Sequence, residues 1–122
     1  VAGKAFGSDS NVRFSYAVSE NDLKFLFDLS HARVTCYNKN INFERYKNDL
    51  PLDQTIQLHI CTFGIDKEKG VAYDAHNFPD EEELLEVQKL VKNYKSIKYL
   101  TVEYYRDIEN LETSLKRVRE LV

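Results

Sequence analysis

The chain of 122 residues has the length of one ordinary domain, and its 43% apolar and 30% charged residues are typical of globular proteins. Its formal net charge of −3 does not favour binding to nucleic acid, and its apolar runs are too short to span a membrane. Cys36 and Cys61 form neither a C-x-x-C motif nor a disulfide framework, which is typical of reduced thiols. We therefore expect a cytoplasmic protein without a membrane segment.

The first 22 residues give only weak signals of secondary structure. Gly3, Gly7 and the serines around Asp9 predict loops, and residues 12–18 alternate weakly between apolar and polar side chains. The chain also begins with Val1 and contains no methionine, so we expect that its own start is missing or was removed.

From about Lys24, strand-like apolar runs alternate with helical segments, which indicates βα units and a parallel sheet. The first predicted strand covers residues 25–28. An irregular stretch rich in asparagine follows it, and then a short helix over residues 43–49 that Pro51 ends.

The second predicted strand covers residues 55–60 and leads into a long loop that contains Gly64 and Gly70. Asp80 and Glu83 predict the start of a helix. That helix carries an apolar stripe at spacings of three and four, formed by Leu84, Val87, Leu90, Val91 and Tyr94.

The third predicted strand covers residues 97–104, and Asp107 after it predicts a helix cap. The last helix has one apolar face, formed by Ile108, Leu111, Leu115, Val118 and Val122. In the second strand, Leu58 and Ile60 share an aliphatic face, while Gln57 and His59 share the other face. This combination is typical of βα-barrel strands, whose chemistry collects at the C-terminal rim.

Histidines and carboxylates stand at or just after the ends of these strands. The side chains concerned are Asp28, His31, His59, Asp74, His76 and Glu103, with Asp74 and His76 expected in the loop after the second strand. Because the carboxyl ends of parallel strands meet at one edge of a sheet, we expect the six to converge. Three carboxylates in a partly desolvated site repel one another unless cations bind there. The mixed nitrogen and oxygen donors suit two or three divalent ions of zinc, iron or manganese.

Other readings of these residues remain open. Each short motif occurs by chance in many proteins, so the prediction depends on the joint placement of all six side chains. Cys61 faces the same way as His59 and is either a soft ligand or, as we favour, a buried inert thiol. Tyr104 and Tyr105 either line a pocket or pack at an interface.

The chain also carries a specific series of motifs. In order, they are Asp28-Leu29-Ser30-His31-Ala32, Leu50-Pro51-Leu52-Asp53 with Gln57-Leu58-His59-Ile60, Tyr73-Asp74-Ala75-His76 and Thr101-Val102-Glu103. From about Phe14 onward, the series resembles the C-terminal half of the xylose-isomerase-like TIM-barrel superfamily. Within it, the chain is most similar to the bacterial and archaeal family that includes the iron enzymes of methanobactin and thiol-modified peptide biosynthesis. Endonuclease IV and the sugar isomerases and epimerases are more distant relatives.

The resemblance implies a site of two or three metals, with the six side chains as ligands, Glu103 as a bridge or proton acceptor, and a peptide or small molecule as substrate. Two features depart from the family. His31 stands where many of the peptide-modifying enzymes have asparagine, and nothing corresponds to the ligands of the earlier barrel strands. Since a full barrel needs about 250 residues, we expect three of its eight strands here, with the rest from upstream sequence or a second chain.

Three functions are compatible with these observations. The leading hypothesis is an iron-dependent oxidoreductase that acts on a peptide or small molecule. The second is a sugar isomerase, or an endonuclease IV-like phosphodiesterase, that uses zinc or manganese. The third is a non-catalytic half-barrel, either as a single domain or as a C-terminal fragment.

Overall fold

The computed structural model describes residues 7–121 of the chain, with side chains from residue 10 onward. The helices and strands are, in chain order, α1 (Gly7–Glu20), β1 (Phe25–Asp28), α2 (Leu29–Lys39), α3 (Phe43–Asn48), β2 (Thr55–Ile60), β3 (Thr62–Asp66), β4 (Val71–Asn77), α4 (Glu81–Asn93), β5 (Tyr99–Val102) and α5 (Ile108–Leu121). A 3-10 turn over Leu52–Gln54 precedes β2. No helix in the described part of the chain combines the length and the apolarity that crossing a membrane requires.

The central sheet contains three parallel strands in the order β1-β2-β5. The parallel sheet predicted from the sequence is therefore confirmed. Asp28 lies opposite His59, and His59 lies opposite Thr101 on the other side. The carboxyl ends of the three strands consequently meet at one edge. The third strand is shorter than the predicted 97–104, although the backbone N–H of Glu103 still donates to the carbonyl of Ile60 at 2.9 Å.

The hydrophobic core lies between this sheet and the helices that cover it. Leu58 and Ile60 of the middle strand are fully buried, as the period of two predicted. The predicted helix starts are also confirmed, because the Asp80 side chain accepts from the N–H of Glu83 and Asp107 accepts from the first turn of α5. The buried core comprises Phe27, Leu29, Ala32, Leu52, Leu58, Ile60, Leu84, Val87, Leu90 and Val118.

The start of the described chain is helical, so the expectation of a loop at Gly7 and of weak strand-like alternation over residues 12–18 is wrong. The face of α1 that packs inward carries Asn11, Ser15 and Val18, at spacings of four and three. Asn11 is buried and donates to the carbonyl of Tyr46 at 2.9 Å. Because two of the three inward residues are polar, the sequence shows no apolar stripe that would predict this helix. Gly3 lies outside the described residues.

The stretch after β1 is also a helix, α2, rather than irregular. Leu29, Ala32 and Cys36 form its buried face at helical spacing. The helix ends at Asn40, which adopts the left-handed conformation with φ of 54° and donates from its N–H to the last carbonyls. Asparagine is accepted there because its short polar side chain tolerates that conformation.

The predicted long loop after β2 forms an antiparallel hairpin of β3 and β4 instead. Its turn ends at Gly70, whose φ of +66° favours glycine. Gly64 permits a close approach within the hairpin, since an added Cβ would lie 2.8 Å from the Tyr73 ring. Asp74 and His76 are therefore on a strand and not in a loop. Both glycines interrupt the strand pattern in the sequence, which is why it indicated a loop.

Candidate metal centre

Asp28 and His31 are positioned by the junction of β1 and α2. The Asp28 side chain caps the helix and accepts from the N–H of His31 at 2.9 Å. This brings Nδ1 of His31 to 3.5 Å from the second Asp28 oxygen. The Nε2 atom of the same ring lies 2.6 Å from Oδ2 of Asp74. The His31 side chain is 62% exposed, so it stands at the mouth of the site.

Asp74 and His76 come from β4, where the period of two places both on one side of the strand. Asp74 Oδ2 lies 3.1 Å from His76 Nε2. His76 adopts the left-handed conformation with φ of 49°. Such a backbone costs of order 1–3 kcal/mol for a residue other than glycine and is common at functional sites. The backbone of β4 is therefore strained at His76, next to its last residue.

His59 and Glu103 come from the middle strand and from the residue just beyond β5. The Nδ1 atom of His59 lies 2.8 Å from Oε1 of Glu103. The other Glu103 oxygen lies 3.8 Å from Nδ1 of His76. Glu103 thus lies between two imidazoles, and it connects the parallel sheet to the hairpin.

All six side chains predicted from the sequence lie together in this region. Their possible ligand atoms fall into two groups, and within each group the atoms are no more than 4.8 Å apart. One group is Asp28, His59 and Glu103, and the other is Cys61, Asp74 and His76. His31 contacts a carboxylate of each group. The role of the six as metal ligands stays a prediction.

The carboxylates and imidazoles of the site shift the pKa values of His31 and Asp74. Burial by itself would lower the pKa of His31, but the hydrogen bond to Asp74 and the charges of Asp28, Asp74 and Glu103 raise it. Burial would raise the pKa of Asp74, yet the bond to His31 and the charge of His76 lower it. The region therefore favours positive charge. It supplies nitrogen and oxygen donors of the kind that zinc, iron and manganese accept, so the residues present fit such ions.

Gln57 supports His59, a role that the sequence motifs do not indicate. Gln57 lies two residues before His59 on the same strand face, which the period of two predicts. Its Nε2 atom lies 3.2 Å from Nε2 of His59 and donates to Oγ1 of Thr101 at 2.9 Å. Gln57 therefore holds the His59 ring in place.

Two further supporting residues lie far from their partners in the sequence. Ser30 donates to Asp74 Oδ1 at 3.4 Å. Arg106 donates to the Ala75 carbonyl and, at 3.2 Å, to Oδ1 of Asn77. Both fasten β4, and no local sequence pattern signals either contact.

Cys61 and the two tyrosines also lie near the site. Cys61 is 1% exposed, as expected, and burial raises the pKa of its thiol to about 12. Its Sγ atom lies 3.6 Å from Asp74 Oδ1 and 4.0 Å from His76 Nδ1. Tyr105 is exposed and its ring centroid lies 5.7 Å from that of His76. Tyr104 packs edge-on against Phe78.

Comparisons with known proteins identify the family. Residues 9–121 match the family described as RiPP precursor modification enzyme MbnB/TglH/ChrH, where RiPP denotes a ribosomally synthesised and post-translationally modified peptide. No curated protein matches the chain significantly. The family match covers most of the chain and confirms the resemblance inferred from the motifs. The chain therefore belongs to the MbnB/TglH/ChrH family, whose members are metal-dependent enzymes that act on peptides.

Proposed function

We propose that this protein modifies a precursor peptide by an oxidation in which dioxygen accepts the electrons, and that the reaction depends on two or more divalent metal ions, with iron as the functional metal. The observation that carries the proposal is the contact network of the six side chains. It runs from His31 through Asp74 and His76 to Glu103 and His59, with atom separations of 2.6 to 3.8 Å. Four separate segments of the fold contribute to it.

The two ligand groups support a site of at least two ions. Asp28, His59 and Glu103 would hold one ion, and Asp74 with His76 would hold a second. At an effective dielectric of about 20, two carboxylates at most 4.8 Å apart repel each other by at least roughly 3 kcal/mol. Cations between them would remove this repulsion, which is why a cluster of this kind favours metal binding.

Bound iron would supply the one-electron chemistry that the side chains of this chain lack. The residues themselves position the substrate and move protons. Glu103 is the proposed proton acceptor, because its two oxygens lie 2.8 Å from His59 and 3.8 Å from His76. His31 and Tyr105 are exposed at the mouth, where a peptide would arrive.

We also propose that the three parallel strands belong to a TIM barrel. β1 and β5 are the edges of the described sheet, and each exposes an apolar side chain, Leu26 at 42% and Tyr99 at 61%. An unpaired strand edge offers free N–H and C=O groups with which a further strand can pair. Such strands would come from upstream sequence or a second chain, in a protein that we place in the cytoplasm.

The proposal is tested by loading the full-length protein with Fe(II) under anaerobic conditions and then adding air and short peptides encoded beside its gene. We expect a mass change on one peptide, lost in Glu103→Gln and kept in Glu120→Gln, which alters an exposed carboxylate on α5.

The zinc or manganese alternative is favoured by His31, and it would appear as turnover of a sugar or an abasic duplex with zinc alone. That result would overturn the iron assignment.

A further inference from the structure

Cys61 lies at the end of the middle strand, on the side that faces the metal centre. It follows β2 directly and stands two residues after His59. Its neighbour Ile60 belongs to the aliphatic core, whereas Cys61 is absent from that cluster although it is 1% exposed. The thiol is buried beside Asp74 and His76, the polar groups of the site.

The donor atoms near Cys61 lie close enough together to converge on one ion. A tetrahedral zinc ion with a sulfur at about 2.3 Å and oxygen or nitrogen at about 2.1 Å holds its ligand atoms about 3.5 Å apart. Cys61, Asp74 and His76 each offer one ligand atom that lies within 4.8 Å of the other two, and Sγ lies 3.6 Å from Asp74 Oδ1 and 4.0 Å from His76 Nδ1. A bound ion would draw these atoms closer together.

We propose that Cys61 is a sulfur ligand of the ion that Asp74 and His76 hold. This inference rests on the proposed function, since it requires that a metal binds here. A sulfur ligand at Cys61 would give the two halves of the centre different donor atoms. The Cys61 half would have one soft donor, and the half formed by Asp28, His59 and Glu103 would have only nitrogen and oxygen donors. Soft sulfur favours zinc and iron over manganese, so the Cys61 half would discriminate between metals.

Cys36 provides a matched control. It is also a free, buried cysteine, with 5% exposure, but it lies on α2 and belongs to neither ligand group. If Cys61 served only packing, replacing Cys61 or Cys36 would have the same effect on metal binding.

The experiment is a titration of the metal-free protein with Co(II), followed by absorption spectroscopy and by counting bound cobalt. We expect a thiolate-to-cobalt charge-transfer band in the wild type and in Cys36→Ser. The band disappears in Cys61→Ser and Cys61→Ala, and their affinity for zinc falls at least roughly tenfold. Circular dichroism shows whether these variants fold.

A readout on the wild type alone keeps the test independent of the variants. X-ray absorption of the zinc-loaded protein should show a sulfur scatterer at about 2.3 Å. Stoichiometric metal without a sulfur signal would overturn the role of Cys61 and leave the proposed function standing. Absence of bound metal would overturn both.

Discussion

His31 Nε2 lies 2.6 Å from Asp74 Oδ2, although 43 residues separate them in the sequence. The contact joins the first turn of α2 to the hairpin strand β4. Neither residue belongs to the parallel sheet, so the sheet edge alone does not explain the site. The hairpin brings a carboxylate and a histidine over that edge, where they meet Asp28, His59 and Glu103.

Replacing Asp74 with asparagine should remove the shared partner of two imidazoles. Asp74 Oδ2 contacts both His31 and His76, at 2.6 and 3.1 Å. We expect Asp74→Asn to lose about one bound metal ion per chain, measured by elemental analysis after dialysis. Asp53→Asn changes an exposed carboxylate and should keep the wild-type metal content. Equal metal content in both variants would exclude Asp74 as a ligand.

Glu83 should make stability depend on pH. It is 2% exposed, and burial raises its pKa from 4.5 to about 7 although Arg33, 2.7 Å away, opposes the shift. The folded chain thus holds this proton more tightly than the unfolded chain. The stabilisation is complete below pH 4.5 and is lost as the pH rises through about 7. The loss is of order 2–3 kcal/mol between pH 5 and 8.

Urea unfolding at pH 5 and pH 8 checks this prediction. Glu83→Gln should lose less stability than the wild type over this interval. Glu82→Gln serves as the control, since the neighbouring Glu82 side chain is 80% exposed. A wild-type pH dependence that persists in Glu83→Gln would show that Glu83 is not the titrating group.

The buried ion pair of Lys47 and Glu86 should tolerate joint removal better than single removal. Both side chains are less than 10% exposed, and Nζ lies 3.1 Å from each Glu86 oxygen. Lys47→Met leaves a buried unpaired carboxylate and should cost about 3–5 kcal/mol of unfolding free energy. Adding Glu86→Leu should recover most of that loss.

The exposed partner of the same lysine is the control. Glu44 contacts Lys47 at 2.9 Å but its side chain is 56% exposed, so Glu44→Gln should cost less than about 1 kcal/mol. Urea unfolding measures all of these variants. If the double variant were as unstable as Lys47→Met, the pair would act through packing and not through charge.

Leu58 fixes the middle strand, and with it the neighbouring His59. Its side chain is fully buried, so Leu58→Ala should destabilise the protein by about 2–5 kcal/mol through lost burial and a residual cavity. Leu85→Ala, on a leucine of α4 that is 57% exposed, should change the unfolding midpoint little. Comparable losses in the two variants would contradict the assignment of the core.

The three parallel strands and the convergence of the six side chains could be predicted because they depend on short periods and on one topological rule. Alternation in β2 placed Leu58 inside and His59 at the site, and parallel strands brought their carboxyl ends to one edge. The α1 helix was missed because Asn11 and Ser15 replace apolar residues on its inner face.

The rest of the site depends on contacts that no local pattern carries. The sequence predicts a loop in place of the hairpin because Gly64 and Gly70 interrupt the strand pattern, and it carries no sign of the contacts that hold β4. Arg106 is an example, since it reaches a carbonyl 31 residues earlier in the chain. The left-handed backbone of His76 likewise results from tertiary structure.

A count of bound iron shows whether the six side chains hold metal ions. The metal-free full-length protein is dialysed against Fe(II) without oxygen, and the iron retained per chain is measured. We predict two or more ions in the wild type and fewer in His59→Ala and His76→Ala. Less than one ion in the wild type, or an unchanged count in both variants, would show that the six side chains do not form a metal centre.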